Sequence, residues 1–147
     1  MKTSNGFRGE FSFLSNMYEC SIHATIRGRR YTFRNAESLF QALKDPRPEV
    51  IQKFTSLTGA EAKRLGKKVA LRQDWEDIKL DVMASVIKLK FTQNNDLKNK
   101  LIDTADVELV EYNTWHDTYW GVCNNVGSNN LGEILMQFRS VLVRSAN

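Results

Sequence analysis

The chain has 147 residues, 41% hydrophobic and 26% charged, the proportions of an ordinary globular protein. Twenty-one Lys and Arg against 17 Asp and Glu leave a net charge of +4 and an isoelectric point near 9.1, a bias toward anionic partners too mild to mark a duplex-binding footprint. A chain of this length buries roughly 68–70% of its unfolded surface, so one domain over residues 1–147 needs neither disulfides nor zinc.

Cys20 and Cys123 have no His or Cys beside them at ligand spacing, so no metal and no cofactor is expected, and a reducing, cytoplasmic location is. No apolar run approaches the roughly 20 residues of a membrane span. The N-terminus meets Glu10 before any signal-peptide core forms.

Alternation through Cys20-Ser21-Ile22-His23-Ala24-Thr25-Ile26, a turn at Gly28 and a returning Arg30-Tyr31-Thr32-Phe33 predict a β-hairpin. From Asn35, a candidate N-cap, Ala36, Leu39, Phe40 and Leu43 repeat at helical spacing until Asp45-Pro46-Arg47-Pro48 stops them. A second helix is expected over residues 49–57. A third follows over 59–65, with Thr58 and Glu61 placed as a capping box. Asp74 is placed to cap a longer helix with the stripe Trp75, Ile78, Val82, Val86, Leu89 and Lys90, and Asn94 or Asn95 opens another through Leu97 and Leu101. Residues 107–111 read as a strand, and the last helix, over 131–143, is approached by the capping pair Asn129-Asn130. No repeat or linker interrupts the chain. The expected fold class is α+β, a single compact, mainly helical domain with a small β-sheet.

Three places carry potential chemistry. Glu37, Gln41 and Lys44 fall along one side of the helix read from Ala36 to Lys44. Such a stripe is a solvated face by default, yet this one borders the apolar Phe40. Next, Thr114-Trp115-His116-Asp117-Thr118-Tyr119-Trp120-Gly121-Val122-Cys123 packs aromatics around a carboxylate. Trp115 and Trp120 are either core residues or stacking platforms for a base, and Asp117 can accept from a ribose hydroxyl or act as a general base. His116 beside an acid reads as a hydrogen-bonded structural residue.

Third, the stretch from Asn124 to Asn130, with Gly127 at a turn, leads into the last helix, whose free amides would form an anion site. It is neither a Walker A loop nor a dinucleotide fingerprint. Basic residues gather in Arg27-Gly28-Arg29-Arg30 and in Lys63-Arg64-Leu65-Gly66-Lys67-Lys68, extended by Arg72. These either hold phosphates or form solvated surface.

Five blocks together carry a resemblance. They are Gly9-Glu10-Phe11-Ser12-Phe13-Leu14-Ser15-Asn16-Met17-Tyr18, Asn35-Ala36-Glu37-Ser38-Leu39-Phe40-Gln41-Ala42-Leu43-Lys44, Leu71-Arg72-Gln73-Asp74-Trp75, Asp117-Thr118-Tyr119-Trp120-Gly121 and Asn130-Leu131-Gly132-Glu133-Ile134-Leu135-Met136. In order and spacing the chain resembles the NADAR family.

The resemblance implies an α+β N-glycosidase that cuts between ribose C1 and an exocyclic amine. One branch of the family hydrolyses phosphoribosylamino-pyrimidine intermediates of riboflavin synthesis. Another removes ADP-ribose from the amino group of guanine, including guanine in DNA marked by ADP-ribosylating toxins.

Such substrates open to an imine at C1, which suggests a lysine nucleophile. Lys44 is the candidate, with Glu37 shuttling protons and Asp117 orienting the ribose or sharing the acid/base work. Direct hydrolysis, with Glu37 as base and Lys44 binding substrate, is the rival. Matching positions imply substrate contacts from Ser15 and Asn16 in the N-terminal loop, from Gln41, and from Trp75, Trp120 and Gly121. Arg72 and Asn130 are phosphate candidates.

Two departures from the family stand out. Ser38 replaces a histidine that many members have after the helix glutamate, and Val122-Cys123 replaces the continuation common in the riboflavin branch. Thr-Trp-x-Asp is closer to the ADP-ribose-removing members, which favours guanine de-ADP-ribosylation and a functional pairing with a DNA ADP-ribosyltransferase toxin. A binding module that reads ADP-ribose, NAD or nucleic acid without catalysis is the alternative of another class. The presence of Glu37, Lys44 and Asp117 together opposes it.

Overall fold

The computed structural model describes residues 6–146; the first five residues of the segment read for a signal peptide lie outside them. The chain divides into two compact units, one of residues up to Ser15 with those from Asn95 onward, the other Asn16–Asn94. Six α-helices, one 3₁₀ turn and a two-stranded antiparallel sheet are seen among the described residues, an α+β protein as the sequence reads. None of these helices is long and apolar enough to cross a membrane.

In the unit Asn16–Asn94 the hairpin forms from β1 (Ile22–Ile26) and β2 (Arg29–Phe33), with Ile22 opposite Phe33 and Ile26 opposite Arg29. Its two-residue turn needs left-handed backbone at both positions, and Arg27 (φ 51°) and Gly28 (φ 81°) supply it. Ile22, Ala24, Tyr31 and Phe33 are buried. At the outer edge of β1, the Gln93 side chain takes the place of a strand. Its Oε1 accepts from the His23 N–H at 2.7 Å, and its Nε2 donates to the His23 carbonyl at 2.8 Å.

Helix α1 (Ala36–Ala42) begins at Asn35, which is fully buried and whose Oδ1 accepts from the Ser38 N–H at 2.8 Å. This satisfies one of the amides that a helix start leaves open. Helix α2 (Pro48–Phe54) starts on Pro48, whose missing N–H costs nothing at a first turn.

Helix α3 (Gly59–Gly66) carries the expected capping box: Glu61 N–H donates to Thr58 Oγ1 at 3.2 Å, and Thr58 N–H donates to Glu61 Oε1 at 2.9 Å. Its buried residues are Gly59, Ala62 and Gly66, all small, so its backbone can lie close against α1.

Helix α4 (Trp75–Gln93) departs from expectation at its start and along its face. Asp74 makes no capping bond because its carboxylate is taken by the Arg72 guanidinium at 2.7 and 3.2 Å. The buried line is Trp75, Met83, Val86, Ile87, Lys90 and Phe91, while Ile78, Val82 and Leu89 are half-buried.

The other unit holds the 3₁₀ turn (Gly9–Leu14), α5 (Asn95–Asp103) and α6 (Asn130–Ala146). The strand expected over residues 107–111 does not form. Several of its backbone groups go to side chains: Asn129 Nδ2 donates to the Leu109 carbonyl at 2.9 Å and Asn129 Oδ1 accepts from the Glu111 N–H at 3.0 Å, while Arg139 donates to the Val107 carbonyl at 2.9 Å. The Glu111 carbonyl accepts from the Val122 N–H at 2.8 Å, and Glu108 takes part in an isolated bridge. A parallel bridge between Tyr112 and Val122 is a ladder-type pairing nearby. Leu109 and Val110 are buried, and the segment's pairing needs are shared between side-chain amides, a guanidinium and neighbouring backbone.

Lys90 occupies an apolar position of α4 with no exposure at all. Its Nζ stands 5.1 Å from the Phe91 ring centre and 5.9 Å from that of Tyr18, contacts that favour a cation. Burial nevertheless lowers its pKa from 10.5 to about 8, against an opposing influence of Cys20. Below that value the folded state carries a desolvated charge; as pH rises from about 8 to 10.5 the folded amine loses its proton before the unfolded one and the penalty is relieved. At about 1.4 kcal/mol per pKa unit, the penalty is on the order of 3 kcal/mol. Lys90→Met is therefore expected to melt at a higher temperature than wild type at pH 7, with the advantage shrinking towards pH 10. Thermal unfolding followed by circular dichroism at both pH values tests this, and an equal or lower melting temperature at pH 7 contradicts it.

Candidate active site

Capping by Asn35 sets the rotation of α1 and so the direction of the Glu37-Gln41-Lys44 stripe. The stripe is not a solvated face: Gln41 is 6% exposed, and Glu37 and Lys44 are half-buried. Gln41 Nε2 donates to Glu37 Oε1 at 2.8 Å. The Glu37 N–H donates to the Asn16 carbonyl at 2.8 Å, which brings Asn16 to the same place. Asn16 is buried, with Nδ2 3.4 Å from Met83 Sδ and Oδ1 without a hydrogen-bond partner.

Lys44 lies just beyond α1, which ends at Ala42 with Leu43 as C-cap. Its carbonyl accepts from the Arg72 N–H at 2.9 Å. The next residue, Asp45, is buried and clasped by Arg47 through bonds of 3.0 and 2.8 Å, which hold its carboxyl below the usual range. Lys44 is thus fixed at its own carbonyl and by the clasp after it. Burial lowers the pKa of its amine; Glu37 opposes this and Lys79 adds to it. The result is an amine more readily deprotonated than an exposed lysine, beside a carboxylate that can take or give a proton.

Two predicted contacts in this unit are committed to protein partners. Trp75 is buried against Phe40, with ring centres 5.1 Å apart at 55°. The Arg72 guanidinium pairs with Asp74. Ser38 is fully buried, and its hydroxyl donates to the Leu57 carbonyl at 3.1 Å, so it serves the α1 anchor and a bulkier histidine would displace that bond.

The other unit assembles Asp117, Trp120, Gly121 and Asn130. Asp117 Oδ1 accepts from the N–H groups of Tyr119 and Trp120 at 3.1 and 2.9 Å. The Asn113 side chain bonds both backbone groups of Asp117. Trp120 is half-buried and meets Tyr119 edge-on at 4.7 Å, whereas Trp115 is 47% exposed and is no core residue. Ser15 follows the 3₁₀ turn, its N–H donating to the Ser12 carbonyl at 3.0 Å.

The anion site expected where α6 begins is not formed from its first amides. The N–H groups of Asn130 and Leu131 donate to the carbonyls of Tyr119 and Trp120 at 3.1 and 3.0 Å, so they hold the loop instead of a ligand. Gly121 and Gly127 meet in that loop, where a methyl on Gly127 would lie 2.2 Å from the Gly121 carbonyl oxygen. Among the described residues no cluster of His, Cys, Asp and Glu is arranged to hold a metal.

Lys90 was not singled out by sequence reasoning. Its signal was present, a lysine at an apolar position of α4. It is the second amine of the Asn16–Asn94 unit with a lowered pKa, but unlike Lys44 it is wholly enclosed.

Comparison with known proteins adds to this geometry. A riboflavin biosynthesis protein of Vibrio vulnificus is 36% identical over 138 residues, 91% of this chain, which spans only 36% of that protein's length. N-glycosidase YbiA of Shigella boydii is 36% identical over 115 residues, covering 76% of this chain and 71% of that protein. The NMR structure of Escherichia coli YbiA superposes with a TM-score of 0.81 at 28% identity, over 99% of this chain and 89% of that one. The NADAR domain model matches residues 5–143, a match running through both compact units, and the chain therefore belongs to the NADAR family.

Proposed function

We propose that the chain is an N-glycosidase, a hydrolase acting on N-glycosyl bonds, that cleaves between ribose C1 and an exocyclic amine. The observation that carries this reading is the stripe on α1: a carboxylate, a buried amide bonded to it, and an amine whose proton is loosened by burial. The names of its relatives, N-glycosidase among them, support the same reaction class.

In the mechanism, the glycosidic nitrogen pushes open the ribose ring: the bond from C1 to the ring oxygen breaks, the proton on nitrogen passes to that oxygen, and an imine forms at C1. The uncharged Lys44 amine adds to C1, one of its protons passes to the base nitrogen, and Glu37 as the acid gives that nitrogen a second so that it departs as an amine. The C1–N bond to the base breaks, leaving a Schiff base between Lys44 and C1. Glu37, now a carboxylate, takes a proton from water as the water oxygen adds to C1, and the Lys44 amine leaves. Asp117 has one oxygen committed to the backbone turn, so the second is the one offered to the ribose. The Asn16 side-chain oxygen Oδ1, buried without a partner, is suited to accept from a substrate hydroxyl or amine. Of the remaining candidates, Gln41 is proposed to serve the substrate in the Asn16–Asn94 unit, with Trp75 and Arg72 supporting it, and Ser15, Trp120, Gly121 and Asn130 are proposed contacts in the other unit.

The substrate favoured here is guanine carrying ADP-ribose on its amino group, in DNA or as nucleotide, so that the enzyme reverses the mark of an ADP-ribosylating toxin in the cytoplasm. The Thr114-Trp115-His116-Asp117 segment supports this, because Trp115 is an exposed aromatic of the kind on which bases stack. The second reading, a phosphoribosylamino-pyrimidine, is favoured by relatives named for riboflavin biosynthesis. Incubation of the protein with an ADP-ribosylated oligonucleotide and, separately, with the pyrimidine, followed by mass spectrometry, distinguishes them. Release from the oligonucleotide alone is expected; cleavage of the pyrimidine alone establishes the second reading, and turnover of neither overturns both.

Glu37→Gln and Lys44→Ala are each expected to lower kcat at least roughly 100-fold. A folded variant with near-normal turnover removes that residue from the chemistry. The amine must be uncharged to attack, so the rate should rise with pH through the Lys44 pKa. Lys79 lowers that pKa and is itself paired to Glu76 at 2.6 Å. Lys79→Met removes the neighbouring cation, which favours protonated Lys44, so the rising limb of the pH–rate profile should move to higher pH. A limb that stays in place or moves down excludes Lys44 as its origin.

A further inference from the structure

Gln41 is held in an arrangement that neither α1 nor its own chemistry explains. Its Nε2 donates to Glu37, while its Oε1 is buried without a hydrogen-bond partner. The orientation is dictated by Glu37, since a carboxylate only accepts and the nitrogen must face it. A buried orphan carbonyl is costly, and few native proteins keep one without cause.

The oxygen lies against Gly66, the last residue of α3. A methyl group added there would stand 1.9 Å from Gln41 Oε1, 2.5 Å from Cδ and 3.1 Å from Cγ. Gly66 has ordinary helical backbone, so the missing side chain and not an unusual φ is what the position uses. Glycine is the poorest helix former after proline, and here the space it leaves is filled by the amide of the stripe.

We propose that Gly66 is a positioning residue for the N-glycosidase reaction: by leaving room for the Gln41 amide it keeps the nitrogen on the Glu37 carboxylate and holds that carboxylate aimed for proton transfer. The inference rests on the reading of Glu37 as the acid/base group. Any side chain at position 66 pushes the Gln41 amide off its seat, because the atoms in the way include Cδ and Cγ and not only the tip. The connection that follows returns to the same stripe, the Arg72 N–H donating to the Lys44 carbonyl at 2.9 Å. The segment 66–72 thus meets the stripe at Gln41 and again at Lys44.

The test compares Gly66→Ala, Gln41→Ala and the double variant, using whichever of the two probes above the wild type turns over. Gly66→Ala is expected to lower kcat about tenfold to 100-fold, the scale of a misplaced catalytic group, with KM changed less than about twofold. In the double variant the trimmed side chain leaves room for the added methyl, so its kcat should equal that of Gln41→Ala alone. Gly66→Ala that folds and keeps wild-type kcat, or a double variant slower than Gln41→Ala, overturns the proposal. If Gly66→Ala alone does not fold, the double variant still decides by the same comparison.

A second readout needs no turnover. In ¹⁵N-edited NMR the Gln41 side-chain amide, assigned by its loss in Gln41→Ala, should move to the position of a free glutamine amide in Gly66→Ala; an unmoved signal counts against the seat. Normal turnover by Glu37→Gln, with the amide displaced in Gly66→Ala, would instead overturn the acid/base reading and leave the seat standing.

Discussion

The placement of the α1 stripe depends on one buried amide, that of Asn35. Its oxygen caps α1 through Ser38, and its nitrogen donates to the Leu57 carbonyl at 3.0 Å. The Ser38 hydroxyl reaches the same carbonyl. Two side chains from the first turn of α1 therefore grip one peptide group in the connection between α2 and α3. A single cap would only start the helix; a cap shared with a tertiary acceptor also fixes its rotation, and rotation decides whether Glu37 and Gln41 look inward. Rotation by one residue would put Ala36 and Phe40, or Ser38 and Ala42, where these polar groups stand.

Two buried amines show how environment separates chemistry from architecture. Lys44 and Lys90 both have lowered pKa values because burial penalises their charge. Lys44 keeps a carboxylate neighbour and partial exposure, the two features on which its proposed role rests. Lys90 is walled in by Tyr18 and Phe91. In the other unit the Asp117 turn is built in advance by backbone bonds, with Asn113 below it and the first amides of α6 behind it.

What could be read from the residues follows the range of the interactions. The hairpin, the Asn35 cap and the Thr58–Glu61 capping box were legible because each is settled within a few residues. So was the stripe of Glu37, Gln41 and Lys44, as a spacing, although not as a buried feature; Gln41 is enclosed by Gly66, which no local pattern connects to it. The strand read at residues 107–111 fails for the same reason. Its apolar character was real, but Asn129 and Arg139, distant in sequence, supply several of the hydrogen bonds that a neighbouring strand would have made. Asp74 looked like a cap until Arg72, two residues before it, took the carboxylate. The amides at the start of α6 looked free because the carbonyls that consume them lie in a preceding loop.

The side-chain amide that completes β1 bears on how the protein behaves in company. A two-stranded hairpin leaves rows of peptide groups at its margins, and such margins recruit strands from other molecules. Gln93 occupies the His23 peptide groups on that margin in both hydrogen-bonding senses, and Asn94 takes the adjacent Ser21 carbonyl at 3.0 Å. An amide at the end of a helix thus acts as a stopper, closing that stretch of the sheet to strand addition without the cost of a third strand, and helps keep a small hairpin from templating aggregation.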